Sequence, residues 1–221
     1  MNDTILMMNF CDGYLSLTVI HNYVCLFAFS FKGFDLQDRH APHIADICNV
    51  HGNNVEMLSI GSITDMHLNI KQHATIGNNT SDGPNNFIML LCEGLKENDT
   101  LQVVSFDHTN LNDDCAVIIA SFLRNNTSVK QIWLTSNPNI TDTGVYALLS
   151  ALTPLPSKPP QQQQKKYRYN KTIMQLIFGA NTISPGCEEK CIKEGNNRMI
   201  FLSEKYPDVD SFITRSVKFE G

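Results

Sequence analysis

Apolar residues along this chain alternate between two rhythms, a short one that fits a strand and a longer one that fits a helix. Leu101, Val104 and Phe106 follow the spacing L-x-x-L-x-L, and Val129, Ile132 and Leu134 repeat it 28 residues on. Ile173, Leu176 and Phe178 write it a third time. Eight residues after each start stand Thr109, Asn137 and Asn181, followed by the apolar Leu111, Ile140 and Ile183. Looser copies lie upstream: Leu26, Phe29, Phe31 and Leu36, with Phe34 in the Asn slot, and then Val55, Leu58, Ile60 and Ile63. The starts are therefore 26, 55, 101, 129 and 173.

A helical rhythm follows the strands. Cys115, Ile118, Ile119, Phe122 and Leu123 recur at i, i+3, i+4, i+7 and i+8, and Val145, Leu148, Leu149 and Leu152 do much the same. Ile88, Leu91, Cys92 and Leu95 form another such stripe, and Ile44, Ile47 and Cys48 a shorter one. One apolar stripe per segment predicts amphipathic helices packed on a layer beneath them. Asn112, Asp113 or Thr141 suit helix starts, and the turns Glu97–Thr100 and Asn125–Thr127 suit helix ends.

A lone strand-helix unit cannot bury its apolar face, whereas stacked units bury a continuous core. The expected fold is α/β: a curved parallel sheet with helices outside it. The Asn that follows the strand has a mechanical task in such a stack. Its amide can pair with backbone groups where the chain leaves the strand, groups that are otherwise buried bare.

The stretch Leu101–Phe106 through Leu111–Asp114, then Val129–Asn137 through Ile140–Gly144, resembles leucine-rich repeats of the ribonuclease-inhibitor-like subclass. The resemblance implies a solenoid of about five irregular repeats over 26–186. It departs from the family pattern at Thr109 and Phe34, which replace Asn, and at two insertions near 61–83 and 154–171. Residues 1–25 are expected to form an N-terminal cap or degenerate repeat. Residues 187–221 are expected to form a helical cap and tail, with a helix from Glu188 to Tyr206 ended by Pro207. The second insertion holds Pro159, Pro160, four glutamines and the basic run Lys165–Arg168, the composition of a solvated surface loop.

Charge and cysteine content narrow the picture. A net charge of −5 argues against a chain-wide nucleic-acid footprint. Seven cysteines with no CxxC pair read as small buried hydrophobes in a reducing compartment, so a cytoplasmic location is expected. Gly13 to Phe31 carries no charged residue, but His21 and Asn22 sit at its centre, which favours two core strands over a membrane anchor at 13–31. The sequons at Asn98, Asn126 and Asn170 share one place in the repeat, the turn before a strand, and turn chemistry explains them without glycans.

The sequence contains no P-loop, GxGxxG, HExxH or GxSxG. His40 and His43 stand three apart without a third ligand, so neither a metal nor any other cofactor is expected, and no catalytic residue is assigned. Binding is expected on the strand positions that alternate with the core. These form a central column of Ser30, Ser59, Ser105, Trp133 and Ile177, flanked by Met57, Val103, Gln131 and Gln175 on one side and Lys32, Asp107 and Thr135 on the other. Trp133 is the chain's single Trp, and an outward Trp is a favoured binding anchor. The predicted site is Trp133, Ser105, Asp107, Gln131, Thr135, Gln175 and Ile177. The resemblance implies a non-catalytic module that holds a protein partner on its concave face. Two other readings stay open: a GTPase-activating regulator with Arg124 or Arg168 as the supplied charge, and the recognition fragment of a larger immune-type sensor.

Overall fold

The computed structural model describes residues 4–11, 14–21, 27–32, 35–49, 55–61, 63–65, 70–72, 75–76, 84–152, 170–179, 181–194 and 199–201. The first part of the chain holds β1 (Thr4–Cys11), β2 (Tyr14–His21), β3 (Phe27–Lys32), β4 (Asp35–Leu36), α1 (His40–Asn49) and β5 (Val55–Gly61). Three short strands follow: β6 (Ile63–Asp65), β7 (Ile70–Gln72) and β8 (Thr75–Ile76). Strand and helix then alternate as α2 (Pro84–Gly94), β9 (Val103–Ser105), α3 (Asp113–Asn125), β10 (Gln131–Trp133), α4 (Asp142–Leu152), β11 (Gln175–Ile177), α5 (Pro185–Glu194) and β12 (Met199–Phe201).

The main sheet has the order β12-β11-β10-β9-β5-β3-β1-β2. Every pairing in it is parallel except the hairpin β1–β2, which is antiparallel in register from Thr4↔His21 to Cys11↔Tyr14. From β3 onward the strands lie beside one another in chain order, and α1 to α5 pack in the same order. The fold is α/β. The core lies between the two layers, with Leu58, Val104, Ile132 and Leu176 from the strands meeting Leu91, Ile119 and Leu148 from the helices. Truncating one of these leucines to Ala typically costs about 2–5 kcal/mol.

Local chemistry explains where the helices begin and end. Asn112 is extended, and its Oδ1 accepts from the Cys115 N–H at 3.0 Å, which starts α3. Asp113 and Asp114 occupy its first turn and Arg124 its last, the arrangement the helix dipole favours. Asn126 returns the chain to extended geometry and ends the helix. The helix faces follow the predicted stripes, with two shifts: Ile47 and Ile118 are half-buried at the rim of the core, while Ala45, Ala116 and Ala120 are inside.

Two ladders of asparagines tie the units together. Asn137 is fully buried. Its Nδ2 donates to the carbonyls of Phe106, Leu134 and Thr135, and its Oδ1 accepts from the N–H groups of Thr109 and Leu111. Asn181 continues the ladder, accepting from the Asn137 N–H at 2.7 Å and donating to Leu134 O. Thr109, in the Asn slot of the preceding unit, bonds Phe106 O with its hydroxyl at 2.7 Å. The second ladder runs through the three sequon asparagines. Asn98, Asn126 and Asn170 are all buried, and each Oδ1 accepts from the N–H groups two and three residues on. Asn126 Nδ2 donates to Asn98 O, and Asn170 Nδ2 to Asn126 O and Leu123 O. An amide so placed has no room for a glycan, so these motifs are structural turns.

Two regions differ from what the sequence suggests. The helix expected from Glu188 to Tyr206 is interrupted: α5 ends at Glu194, and β12, within the expected span, pairs in parallel with β11 through Leu176↔Ile200. Asn197 stands where the L-x-x-L-x-L pattern has its first apolar residue, which hides this strand from a periodicity search. The first insertion contains β6 and β7, paired antiparallel, and β8, paired with β4. Within the charge-free segment, residues 14–21 and 27–31 lie in strands, as expected, and among the described residues no helix is long and apolar enough to cross a membrane. The basic run Lys165–Arg168 of the second insertion lies outside the described residues.

Candidate functional site

The parallel register assembles the columns that the alternation predicts. Ser30 pairs with Ser59, Ser59 with Ser105, Ser105 with Trp133, and Trp133 with Ile177. Beside them run Met57, Val103, Gln131 and Gln175, also in register. Phe201 extends the central column onto β12. Because Val104, Ile132 and Leu176 face the core, residues on either side of them face away from the helices.

This face is more closed than expected. Trp133 is only 7% exposed, although it stands outside the core cluster. Ser59, Ser105 and Gln175 are also buried, so a Trp seated among them does not project into solvent. A period of two tells which face a residue takes but not what covers that face, and the exposed-Trp expectation fails on that second point. The indole Nε1–H donates to Gln131 Oε1 at 3.3 Å, two residues back on the same strand. Four of the seven predicted residues remain half-buried: Asp107, Gln131, Thr135 and Ile177.

The polar groups at the ends of β9 and β10 form one small network. Asp107 Oδ1 accepts from the Thr135 N–H at 2.7 Å, and its Oδ2 accepts from Ser105 Oγ at 2.9 Å. His108 and Ser136, 28 residues apart, both take positive φ of 57° just beyond their strands. The carboxylate therefore stitches two successive turns. Two polar atoms of this face, Ser59 Oγ and Gln175 Oε1, are buried with no hydrogen-bond partner among the described residues. A group left in that state costs about 1–3 kcal/mol relative to a paired one.

The other candidates serve local structure. His40 Nδ1 accepts from the Gln37 N–H at 2.9 Å at the start of α1, while His43 is exposed. Among the described residues no three His, Cys, Asp or Glu side chains gather as a metal site. Arg124 donates from Nη2 to Ser150 Oγ at 2.6 Å on the neighbouring helix, and Arg168 lies outside the described residues. Cys48, Cys92, Cys115, Cys187 and Cys191 are free thiols in the core, and burial pushes Cys48 and Cys92 up to about 12 and Cys115 to about 11. Cys11 and Cys25 fall where side chains are not described.

Sequence reading missed the carboxylate clamps between helices. Asp113 bonds Thr141 and Gly144, and Asp142 bonds Ser184, the same relationship one unit later. The only sequence signal is an Asp recurring as the first residue of α3 and of α4. No family model and no curated protein matches the chain. Among solved structures the chain is similar to leiomodin-1 actin-binding site 2 (ABS2), at 19% identity over 65% of this chain and 76% of that one, with a TM-score of 0.42, a likeness too loose to bring any residue role across.

Proposed function

We propose that the chain is a leucine-rich repeat protein of the ribonuclease-inhibitor-like subclass and works as a non-catalytic protein-binding module. The observation that carries this reading is the register: the strands pair in step from β5 to β11, and the turn asparagines Asn98, Asn126 and Asn170 recur before β9, β10 and β11 with the same hydrogen bonds. A solenoid built this way presents a broad sheet face with one side chain per strand in each column, a surface suited to an extended protein epitope. The partner is read by the half-buried residues Gln131, Asp107, Thr135 and Ile177, with Trp133 holding the Gln131 amide in place.

The test is a photo-crosslinking amino acid placed singly at Gln131, at Ile177 and at the exposed Glu97 in the turn after α2. Crosslinking to one defined protein from Gln131 and Ile177 but not from Glu97, reproduced with that protein purified, supports the sheet face. Crosslinking from Glu97 alone moves the site and defeats the proposal. The GTPase reading gains nothing from Arg124, whose guanidinium is engaged by Ser150.

A further inference from the structure

The outer side of the helix layer carries apolar side chains in the open. Met89 and Val117 are 50% exposed and Tyr146 37%. They occupy one place in three consecutive units, Val117 following Met89 by 28 residues and Tyr146 following Val117 by 29. Leu90, Ile118 and Ala147, each the next residue along, are half-buried against the core. Two members of the row flank furrows between helices. Asn85, one turn before Met89, reaches Asp114 and Cys115 of α3, so Met89 flanks the α2–α3 furrow. At the α4–α5 furrow, Lys190 already sits 4.2 Å above the centre of the Tyr146 ring.

Charge around the row has one sign at the helix starts. Asp113, Asp114 and Asp142 stand within about one turn of Val117 or Tyr146. No Lys or Arg occurs from 97 to 123 or from 131 to 157. An exposed apolar row with an acidic border selects a partner that is apolar along one stripe and basic beside it. Lys190 on Tyr146 is the same pairing made within the chain.

We propose that Met89, Val117 and Tyr146 form a docking row for a basic amphipathic helix of a partner protein, lying across α2, α3 and α4. Packed helices stand about 8–10 Å apart, and a helix rises about 1.5 Å per residue, so successive anchors fall roughly five to seven residues apart, and of these spacings about seven, two full turns, keeps them on one face. The partner therefore carries apolar residues at heptad spacing and Lys or Arg on the flank facing Asp114 and Asp142. This surface is separate from the sheet face and does not depend on it.

The probe is a synthetic helical peptide of about 21 residues, three anchors at that spacing, with Leu at the anchors and Lys along one flank. Its binding to the full chain is measured by calorimetry. Comparison uses the same peptide with Glu for Lys, and the triple variant Met89→Ser, Val117→Ser, Tyr146→Ser. Expected are saturable binding of the Lys peptide, at least tenfold weaker binding to the triple variant, and equally weak binding of the Glu peptide. Circular dichroism and the unfolding midpoint should show the variant folded. Equal affinity for wild type and variant overturns the proposal, as does equal binding of the Glu peptide or no binding at all. A wild-type dimer in solution that the triple variant abolishes also overturns it, giving the row to a second copy of the chain.

Discussion

Asp113, in the first turn of α3, accepts three hydrogen bonds from the unit that follows: Thr141 N–H at 2.8 Å, the Thr141 hydroxyl at 2.7 Å and Gly144 N–H at 2.9 Å. One carboxylate thus fixes how far α4 sits along α3. Asp113→Ala leaves two backbone donors and a hydroxyl without their acceptor, and hydrogen bonds to a charged group contribute about 1.5–3 kcal/mol. Thr141→Val removes only the hydroxyl share, about 1 kcal/mol. Urea unfolding of both single variants and the double variant measures the coupling. Strictly additive losses would show that the clamp contributes nothing of its own.

The equivalent clamp at α4–α5 has a pH signature. The Ser184 hydroxyl and backbone N–H, bonding Asp142, hold its carboxyl below the ordinary carboxylate range. A group with a depressed folded pKa stabilises above its unfolded value, about 3.9 for Asp, and that contribution is lost as pH falls through the folded value. The protection of the Ser184 amide, its exchange rate taken relative to the intrinsic rate at each pH, should therefore be high at neutral pH and fall selectively below about pH 4. Asp142→Asn should exchange faster throughout and lack that step. Parallel pH profiles for the two proteins would exclude the carboxylate as the cause.

Glycines test how closely the units pack. A Cβ on Gly144 would lie 2.5 Å from Asp113 Oδ1 and 3.0 Å from Ala116 Cβ, and one on Gly61 would run into the backbone carbonyl of Asp107. Gly144→Ala must push the clamp apart, a loss of about 1–3 kcal/mol, and Gly61→Ala should lose more because backbone rather than a side chain must move. Gly186, in the first turn of α5, has its nearest atom 4.0 Å away. Gly186→Ala should gain about 0.5–1 kcal/mol from helix propensity. Thermal unfolding of the three variants gives the order, and a stabilised Gly144→Ala would mean the α3–α4 contact is looser than the structure has it.

The strand and helix positions were largely legible because each rests on a period that sequence displays. Leu101 and Val129 carry the same apolar spacing, and the register of β9 with β10 follows from it. β12 escaped because Asn197 interrupts that spacing, and the two remaining places, Ile200 and Leu202, do not by themselves mark a strand. The role of the turn asparagine at Asn137 could be argued in advance from the unpaired backbone groups at a strand's exit. The clamp at Asp113 could not, since a carboxylate at a helix start already has a sufficient explanation in the dipole. Trp133 marks the limit at the site: alternation gave its face, and its burial depends on contacts distant in sequence.

The buried thiols give a chemical test of the core. Desolvation pushes Cys48 and Cys92 up to about 12 and Cys115 to about 11, so the reactive thiolate is scarce at neutral pH as well as shielded. Alkylation at pH 8 followed by peptide mapping should leave these three unmodified in the native protein and label all of them in denaturant. Rapid native labelling of Cys92, which is in α2 against α3, would show that those helices separate.

Asn137 is a fully buried side chain that bonds backbone groups of two successive units. Its amide holds the turns of two units at once, and both its donor and acceptor sides are used. Asn137→Ala strands buried carbonyls and N–H groups together, a loss of about 3–5 kcal/mol. Asn137→Asp keeps the shape and the acceptor but faces a charge toward the carbonyls of Phe106 and Leu134. Burial and those carbonyls disfavour the ionised form, so its deficit should be large at neutral pH and shrink as acid protonates the carboxyl and restores one donor. Urea unfolding at several pH values follows this directly. If Asn137→Asp is as stable as wild type at neutral pH, the ladder is not what holds the turns.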